Sequence, residues 1–149
     1  MTREPAVTSK IMRAVRGTGT GPEMRLRRAL HALGFRYRVR NRLPGRPDLV
    51  FTGARVAVFV DGDRWHGNGW RARGMESPEE EFQHANGPWW REKIERNVAR
   101  DRRVDAELHA TGWTVVRVWA SDLDRDLQAA VERVLGAVRG RGHTPSRTS

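Results

Sequence analysis

The chain has 149 residues, enough for one domain around a single core, and 38% of them are hydrophobic. It contains no cysteine, which excludes disulfides and thiolate-ligated zinc, and no apolar run approaches the roughly 18 residues of a membrane helix. Lys+Arg number 28 against 18 Asp+Glu, a net charge of +10 that is mostly arginine; the planar guanidinium pairs well with phosphate, so an anionic polymer is the natural partner.

Residues 1–21 are polar, lack an apolar signal core and end in "RGTGTG", a flexible lead-in. A soluble, cytoplasmic protein is expected. In "PEMRLRRALHALG", residues 22–34, Leu26, Ala29, Leu30 and Leu33 recur at helical spacing. Pro22 suits the first turn and Gly34 the stop. "FRYRVRNRLP" alternates Phe35, Tyr37 and Val39 with arginines, the pattern of a half-exposed strand. Two apolar runs, 49–51 and 56–60, are joined by the short turn "TGAR" and read as a hairpin of buried strands. Residues 67–88 carry glycines, prolines and the acidic run "ESPEEE", and read as a loop. Pro88 opens a long helix closed by Gly112; "WTVVRVWASDL" is a further buried strand. Residues 122–140 form a last amphipathic helix with Asp122 or Asp124 available as its cap, and the tail from Arg139 is polar. The order helix, three strands, helix, strand, helix predicts a mixed α/β fold, with a central sheet between helices.

The chemistry gathers where "VFVDGDRWHG" ends. Asp48 stands at the entrance of one hairpin strand, and Asp61 and Asp63 end the other, so their side chains fall at one edge of the sheet. Clustered carboxylates repel, and a bound cation relieves the cost. Magnesium suits oxygen ligands completed by water and phosphate. His66 lies three residues past Asp63 and is placed to activate water or assist a leaving group beside a clamped phosphate. On the long helix Trp90, Ile94, Val98 and Leu108 share a face with Asp101, with Asn97 at its edge and Lys93 beyond. A carboxylate aimed at the sheet needs a partner. Either Asp101 pairs with an arginine, or the helix brings Lys93, Asn97 and Asp101 to the strand-end site. Each feature also has a plain structural reading: strand-end aspartates make turns, and tryptophans fill cores.

Four ordered blocks, "SKIMRAV", "LPGRPDLV" with "VFVDGDRWHG", "WWREKIERNVARDRR" and "GWTVVRVWASDL", resemble the very short patch repair (Vsr) DNA mismatch endonucleases over most of the chain. The resemblance implies the restriction-endonuclease-like fold and Mg²⁺-dependent nicking of one strand of double-stranded DNA beside the thymine of a T·G mismatch, a lesion left by deamination of 5-methylcytosine. By it, Asp48 is the central metal-binding aspartate, Val60 gives the metal a backbone carbonyl, His66 is the catalytic histidine and Glu23 supports the site. Asp61 stands where other members carry a second histidine, so its carboxylate joins the metal shell, and Asp101 matches the partner of that position. Trp65 and Trp90 match wedges driven into the base stack, Arg64 stands where a phenylalanine is usual, and Met12, Lys93 and Asn97 match contacts to the mismatched bases. The zinc ligands of other members are replaced by Asp63, Trp70 and Ala120, so no zinc is expected. The implied organisation is a flexible DNA-contacting segment at 1–21, an endonuclease domain at 22–138 and a disordered tail at 139–149. The implied state is a monomer with no membrane association, working beside mismatch-repair or DNA methyltransferase systems. Two alternatives stay open: a nuclease of the same fold with another DNA target, modified or structured, and a non-catalytic DNA-binding module whose acids are structural.

Overall fold

In the computed structural model, residues 21–63, 66–72, 74–78 and 87–140 are described, without the side chains of Trp70 and Ala72. Helix α1 spans Gly21–Ala32, strand β1 Leu49–Phe51, strand β2 Val56–Asp61, helix α2 Gly69–Ala72 and helix α3 Gly87–Ala110. Strand β3 covers Thr114–Trp119, followed by helix α4, Ala120–Arg125, and helix α5, Leu127–Gly140.

The three strands lie in the order β1-β2-β3, β1 antiparallel and β3 parallel to the central β2. All six residues of β2 are buried, which explains its run of Val, Ala and Phe: a strand covered on both faces has no polar side to show. Alternation then sorts its side chains. Val56, Val58 and Val60 face a core filled from α1, α4 and α5 by residues such as Leu26, Leu30, Leu123, Val131 and Val134. Ala57 and Phe59 face the opposite layer, where Leu108 and Val104 of α3 pack with Leu43, Trp113 and Val115. Asp61 continues this second series, so its carboxylate emerges under α3 rather than under α1. Each fully buried Val or Leu contributes about 1.5–3 kcal/mol, so the two layers fix where β2 ends.

The hairpin, the long helix and the sheet between helices match expectation, and three elements differ. The arginine-rich segment after α1 does not form a strand: it meets the sheet at one bridge, Arg38 with Val50, through two hydrogen bonds of 2.8 Å. The Asn41 side chain turns the chain away, donating to the Pro47 carbonyl at 2.9 Å and accepting the Leu43 amide at 3.1 Å, and neither Pro44 nor Pro47 can donate to a ladder. The last strand stops at Trp119, because Ala120 already begins α4. The single terminal helix is two helices. They break at Asp126 (φ −150°, ψ 81°), whose Oδ1 accepts the Ala129 amide at 3.1 Å, so the cap is Asp126 rather than Asp122 or Asp124. Asp124 instead pairs with Arg25 of α1.

Boundaries shift slightly as well. Helix α1 begins at Gly21, and α5 carries Arg139 and Gly140 past the boundary drawn at 138. Within the expected loop 67–88, residues 69–72 are helical and α3 starts at Gly87, ahead of Pro88. Residues 1–20 and 141–149 lie outside the described residues. Among the described residues no helix is long and apolar enough to cross a membrane.

Candidate active site

Asp48 is delivered by the turn "LPGRP". Gly45 and Arg46 both take left-handed backbone conformations, φ 72° and 47°. A Cβ at Gly45 would fall 2.6 Å from Val104 Cγ1, so the turn lies flat on α3 and only glycine fits there. The turn hands Asp48 to the hairpin: its N–H donates to the Val58 carbonyl at 2.9 Å, and its Oδ2 accepts the Val60 N–H at 2.7 Å. Glu23 comes from the first turn of α1, is fully buried and pairs with Arg27. Burial pushes the Asp48 carboxyl from 3.8 up to about 7; the Val60 amide opposes the rise, and the charge and hydrogen bond of Glu23 add to it.

Asp61, at the tip of β2, is 5% exposed. One nitrogen of Arg117 donates to both of its oxygens, at 3.1 and 3.0 Å. The register explains this arginine. Arg117 stands beside Phe59 in the β2–β3 ladder, its guanidinium lies 4.1 Å from the centre of that ring, and its remaining nitrogens go to Asp105 at 2.9 and 2.7 Å. It also donates to the Asp101 carbonyl at 3.4 Å, with the Asp101 carboxylate 3.8 Å away. Burial raises the Asp61 carboxyl, opposed by the charges of His66 and Arg117.

Asp101 of α3 holds Nδ1 of His66 at 2.6 Å, and the nearer Asp61 oxygen is 3.9 Å from the same nitrogen. A carboxylate only accepts, so Nδ1 carries the proton, and in the neutral ring Nε2 is left to accept one. Burial pulls the His66 value down, but the Asp101 hydrogen bond and the charges of Asp61 and Asp101 outweigh it, and the net shift is upward. The resemblance gives Asp101 to position 61; here Asp101 serves His66, and Arg117 stands between the two acids. Asp101 therefore meets both an arginine and the histidine beyond the strand end.

Among the described residues, one group of side chains is arranged so that it could hold a divalent cation. Asp61, His66 and Asp101 each offer a ligand atom, all within 4.8 Å of one another. A cation among them would stand against Arg117 and compete for the nitrogen that Asp101 holds. Asp48 also offers carboxylate oxygens of the kind a hard cation takes, and burial raises its carboxyl to about 7.

Lys93 and Asn97 precede Asp101 on α3 at spacings of four, half-buried along the same stripe, and Trp90 is half-buried too. Trp89 is exposed, at 58%, with the Lys93 ammonium 5.3 Å from its ring centre. A cavity of about 370 Å³ opens at Gly67, lined also by Pro78, Ile94 and Val98 with Arg91, Glu95 and Arg102. Met12, Arg64 and Trp65 lie outside the described residues. Asp63 does more than turn the chain. It is buried and bonded to Ser121, next to Ala120, so the two segments linked to zinc in the resemblance are joined here by hydrogen bonds. Arg117, Asp105, Asn68 and Ser121 are site residues that sequence reasoning missed. A legible signal existed for one of them: a lone arginine within the apolar strand "TVVRVW" must find a partner.

A mixed sheet between helices, with buried acids and a His–Asp pair gathered where its strands end, is an arrangement that hydrolases of phosphodiester bonds can use. A family model for the DNA mismatch endonuclease Vsr matches residues 2–72. Nicking enzyme V.NmeDIP of Neisseria meningitidis serogroup C, a type II enzyme, is 40% identical over 136 residues, 91% of this chain and 88% of that one. V.XorIIP of Xanthomonas oryzae pv. oryzae is 41% identical over 125 residues, 83% of this chain and 86% of that one. The DNA mismatch endonuclease Vsr of Escherichia coli strain K12 is 38% identical over 117 residues, 78% and 70% of the two chains. The chain belongs to the Vsr endonuclease family, of restriction-endonuclease-like fold, and is a nuclease acting on DNA.

Proposed function

We propose that this enzyme nicks one strand of duplex DNA at T·G mismatches, with Mg²⁺ held by Asp48 and the backbone carbonyl of Val60. The observation that carries the reading is the Asp48 carboxylate at the end of the hairpin, bonded to the Val60 N–H at 2.7 Å, with the His66–Asp101 pair on the segment that follows the same strand. The names of two relatives, a nicking enzyme and a mismatch endonuclease, support single-strand cleavage and a mismatched target.

Bound there, Mg²⁺ supplies charge for the scissile phosphate. Asp48 orients it and Glu23 sets the charge behind Asp48. His66 moves the proton through Nε2, held in one tautomer by Asp101. Asp61 belongs to the same site as the acid that fixes Arg117, and Arg117 in turn keeps Asp61 and Asp101 from repelling. Met12, Lys93 and Asn97 contact the bases, Trp65 and Trp90 wedge the stack, and Arg64 takes the role of the phenylalanine usual at its position. Wedging costs a few kcal/mol of unstacking, least at a weak pair, which favours mismatches. T·G pairs arise from methylated cytosine, so the enzyme works beside a DNA methyltransferase or mismatch-repair system, as a monomer in the cytoplasm.

The test compares a T·G duplex with its C·G counterpart, with Mg²⁺ and then with chelator. Nicking confined to one strand of T·G, lost on chelation, is the expected result. Equal nicking of both duplexes would assign a different DNA target, and binding without any nicking would make the chain a binding module.

Two further outcomes follow from the same geometry. His66→Ala is expected to slow single-turnover nicking by about 10²-fold or more, the range for a positioned acid–base group; a rate near that of the unaltered enzyme would move proton transfer elsewhere. The Asp48 carboxyl binds its proton more tightly folded than unfolded, so it favours the metal-free fold at low pH, and that contribution is lost as pH rises from 3.8 to about 7. Asp48 would have to give up that proton to hold a cation. The apparent affinity for Mg²⁺ should therefore tighten by roughly tenfold per pH unit below pH 7 and level off above it. Calorimetric titration at pH 6, 7 and 8 measures this, and an affinity independent of pH would take Asp48 out of the metal shell.

A further inference from the structure

The segment carrying His66 is closed on itself by one carboxylate. Asp63 is 9% exposed. Its Oδ2 accepts Asn68 Nδ2 at 2.6 Å and the Ser121 hydroxyl at 2.5 Å, and its Oδ1 accepts the Ser121 backbone N–H at 2.9 Å. The Asp63 carbonyl also accepts the Asn68 N–H at 2.8 Å, so residues 63 and 68 are joined twice, by backbone and by side chain. His66 lies within that ring, its own N–H on the Gly62 carbonyl at 3.2 Å. Ser121 belongs to α4, which begins where β3 ends, so the ring is bolted to the sheet at a point beyond the tip of β2. On its other side the ring touches α3: Gly67 has φ 91°, and a Cβ there would come within 3.1 Å of Val98 Cγ2.

The segment needs such a hold. One glycine precedes it at 62 and another lies within it at 67, and glycine leaves the backbone more conformers than any other residue. The His66–Asp101 contact spans two elements that share no hydrogen-bonded ladder, so the imidazole reaches Asp101 only if the ring is placed from outside. We infer that Asp63, Asn68 and Ser121 form a positioning clasp for His66: they touch no reacting atom, and they act by fixing the imidazole against Asp101.

This inference rests on the reading of His66 as a catalytic group. A swap separates positioning from mere stability. In Asp63→Asn with Asn68→Asp, the amide donates to the new carboxylate and the hydroxyl of Ser121 can turn to accept, so the clasp is rebuilt with donor and acceptor exchanged. Full-length Asn68→Ala, Ser121→Ala, Asp63→Asn, the swap and His66→Ala are compared in single-turnover nicking of the T·G duplex with Mg²⁺, alongside duplex affinity and melting temperature. A second readout needs no substrate: the NMR signal of the His66 Nδ1 proton, which its short bond to Asp101 moves downfield.

Asn68→Ala and Asp63→Asn are expected to lose about 10- to 100-fold in rate, the scale on which an ångström of misplacement acts, with duplex affinity within about threefold. The downfield signal should weaken in both, and the swap should restore rate and signal together. Full rate and an unchanged signal in Asn68→Ala and Ser121→Ala, with His66→Ala slow, would overturn the clasp alone. Single variants that lose melting temperature but keep rate and signal would make it a structural contact and overturn it as well. His66→Ala at full rate would overturn the assignment of His66, and the positioning role with it.

Discussion

Asp48→Ala should reduce single-turnover nicking by about 10³-fold or more, several kcal/mol of transition-state charge stabilisation, while duplex affinity stays within about threefold. Affinity is expected from phosphate contacts of the chain's many arginines, which a change at Asp48 leaves in place. The carboxylate is singular because of where the chain puts it. A turn with two left-handed residues, pressed against Val104, brings it to the last rungs of the hairpin, and the Val60 amide takes one of its oxygens. Asp48→Asn sharpens the test. The amide oxygen still accepts the Val60 N–H and the shape is unchanged, so only the charge is lost. That variant should be as inactive as alanine yet melt at the same temperature or higher above pH 7, because it no longer sets an ionised carboxyl beside Glu23. Nicking retained in Asp48→Asn would remove this carboxylate from the reaction.

Much of the frame was legible in the sequence because the physical signals there are strong. Strand β2 reads as buried from "VAVFV" alone, and a hairpin with "TGAR" between its arms leaves little freedom of register. That placed Asp48 and Asp61 at one sheet edge without coordinates. The face of α3 bearing Asp101 followed from helical periodicity. The segment after α1 misled for an equally physical reason. Alternation of Phe35, Tyr37 and Val39 with arginine is what an edge strand shows, but alternation cannot reveal that Asn41 and two prolines end the pairing after one bridge. The split of the last helix at Asp126 was hidden likewise, since a capping aspartate inside an acidic stretch resembles a solvated face.

The partners of the site residues were harder to foresee, since partnership is a tertiary fact. Nothing local says that Arg117 lies beside Phe59, or that Ser121 meets Asp63; both depend on the parallel register of β2 with β3. The acid at position 61 gave a partial signal. A carboxylate predicted to face another carboxylate demanded a cation, and the chain supplies one from its own third strand rather than only from solvent.

That arginine carries the second large effect. Arg117→Met should destabilise the fold by about 3–5 kcal/mol, the cost of leaving a buried carboxylate without its partner, since Asp61 is 5% exposed and its two oxygens lean on one nitrogen. Methionine keeps the apolar contact with Phe59, so the loss reports charge and hydrogen bonding rather than a cavity. Asp61→Asn in the same background should recover part of the loss, because the acid that needed the arginine is gone; the interaction energy from the four-member cycle measures the pair. The site responds too. Arg117 holds the His66 value down while Asp61 and Asp101 hold it up, so removing the guanidinium should raise it further and displace the acid limb of the rate profile to higher pH. Urea unfolding gives the first quantity and an NMR titration of His66 the second. A variant as stable as the parent, with an unmoved imidazole, would mean that Asp61 draws its compensation from a group other than Arg117.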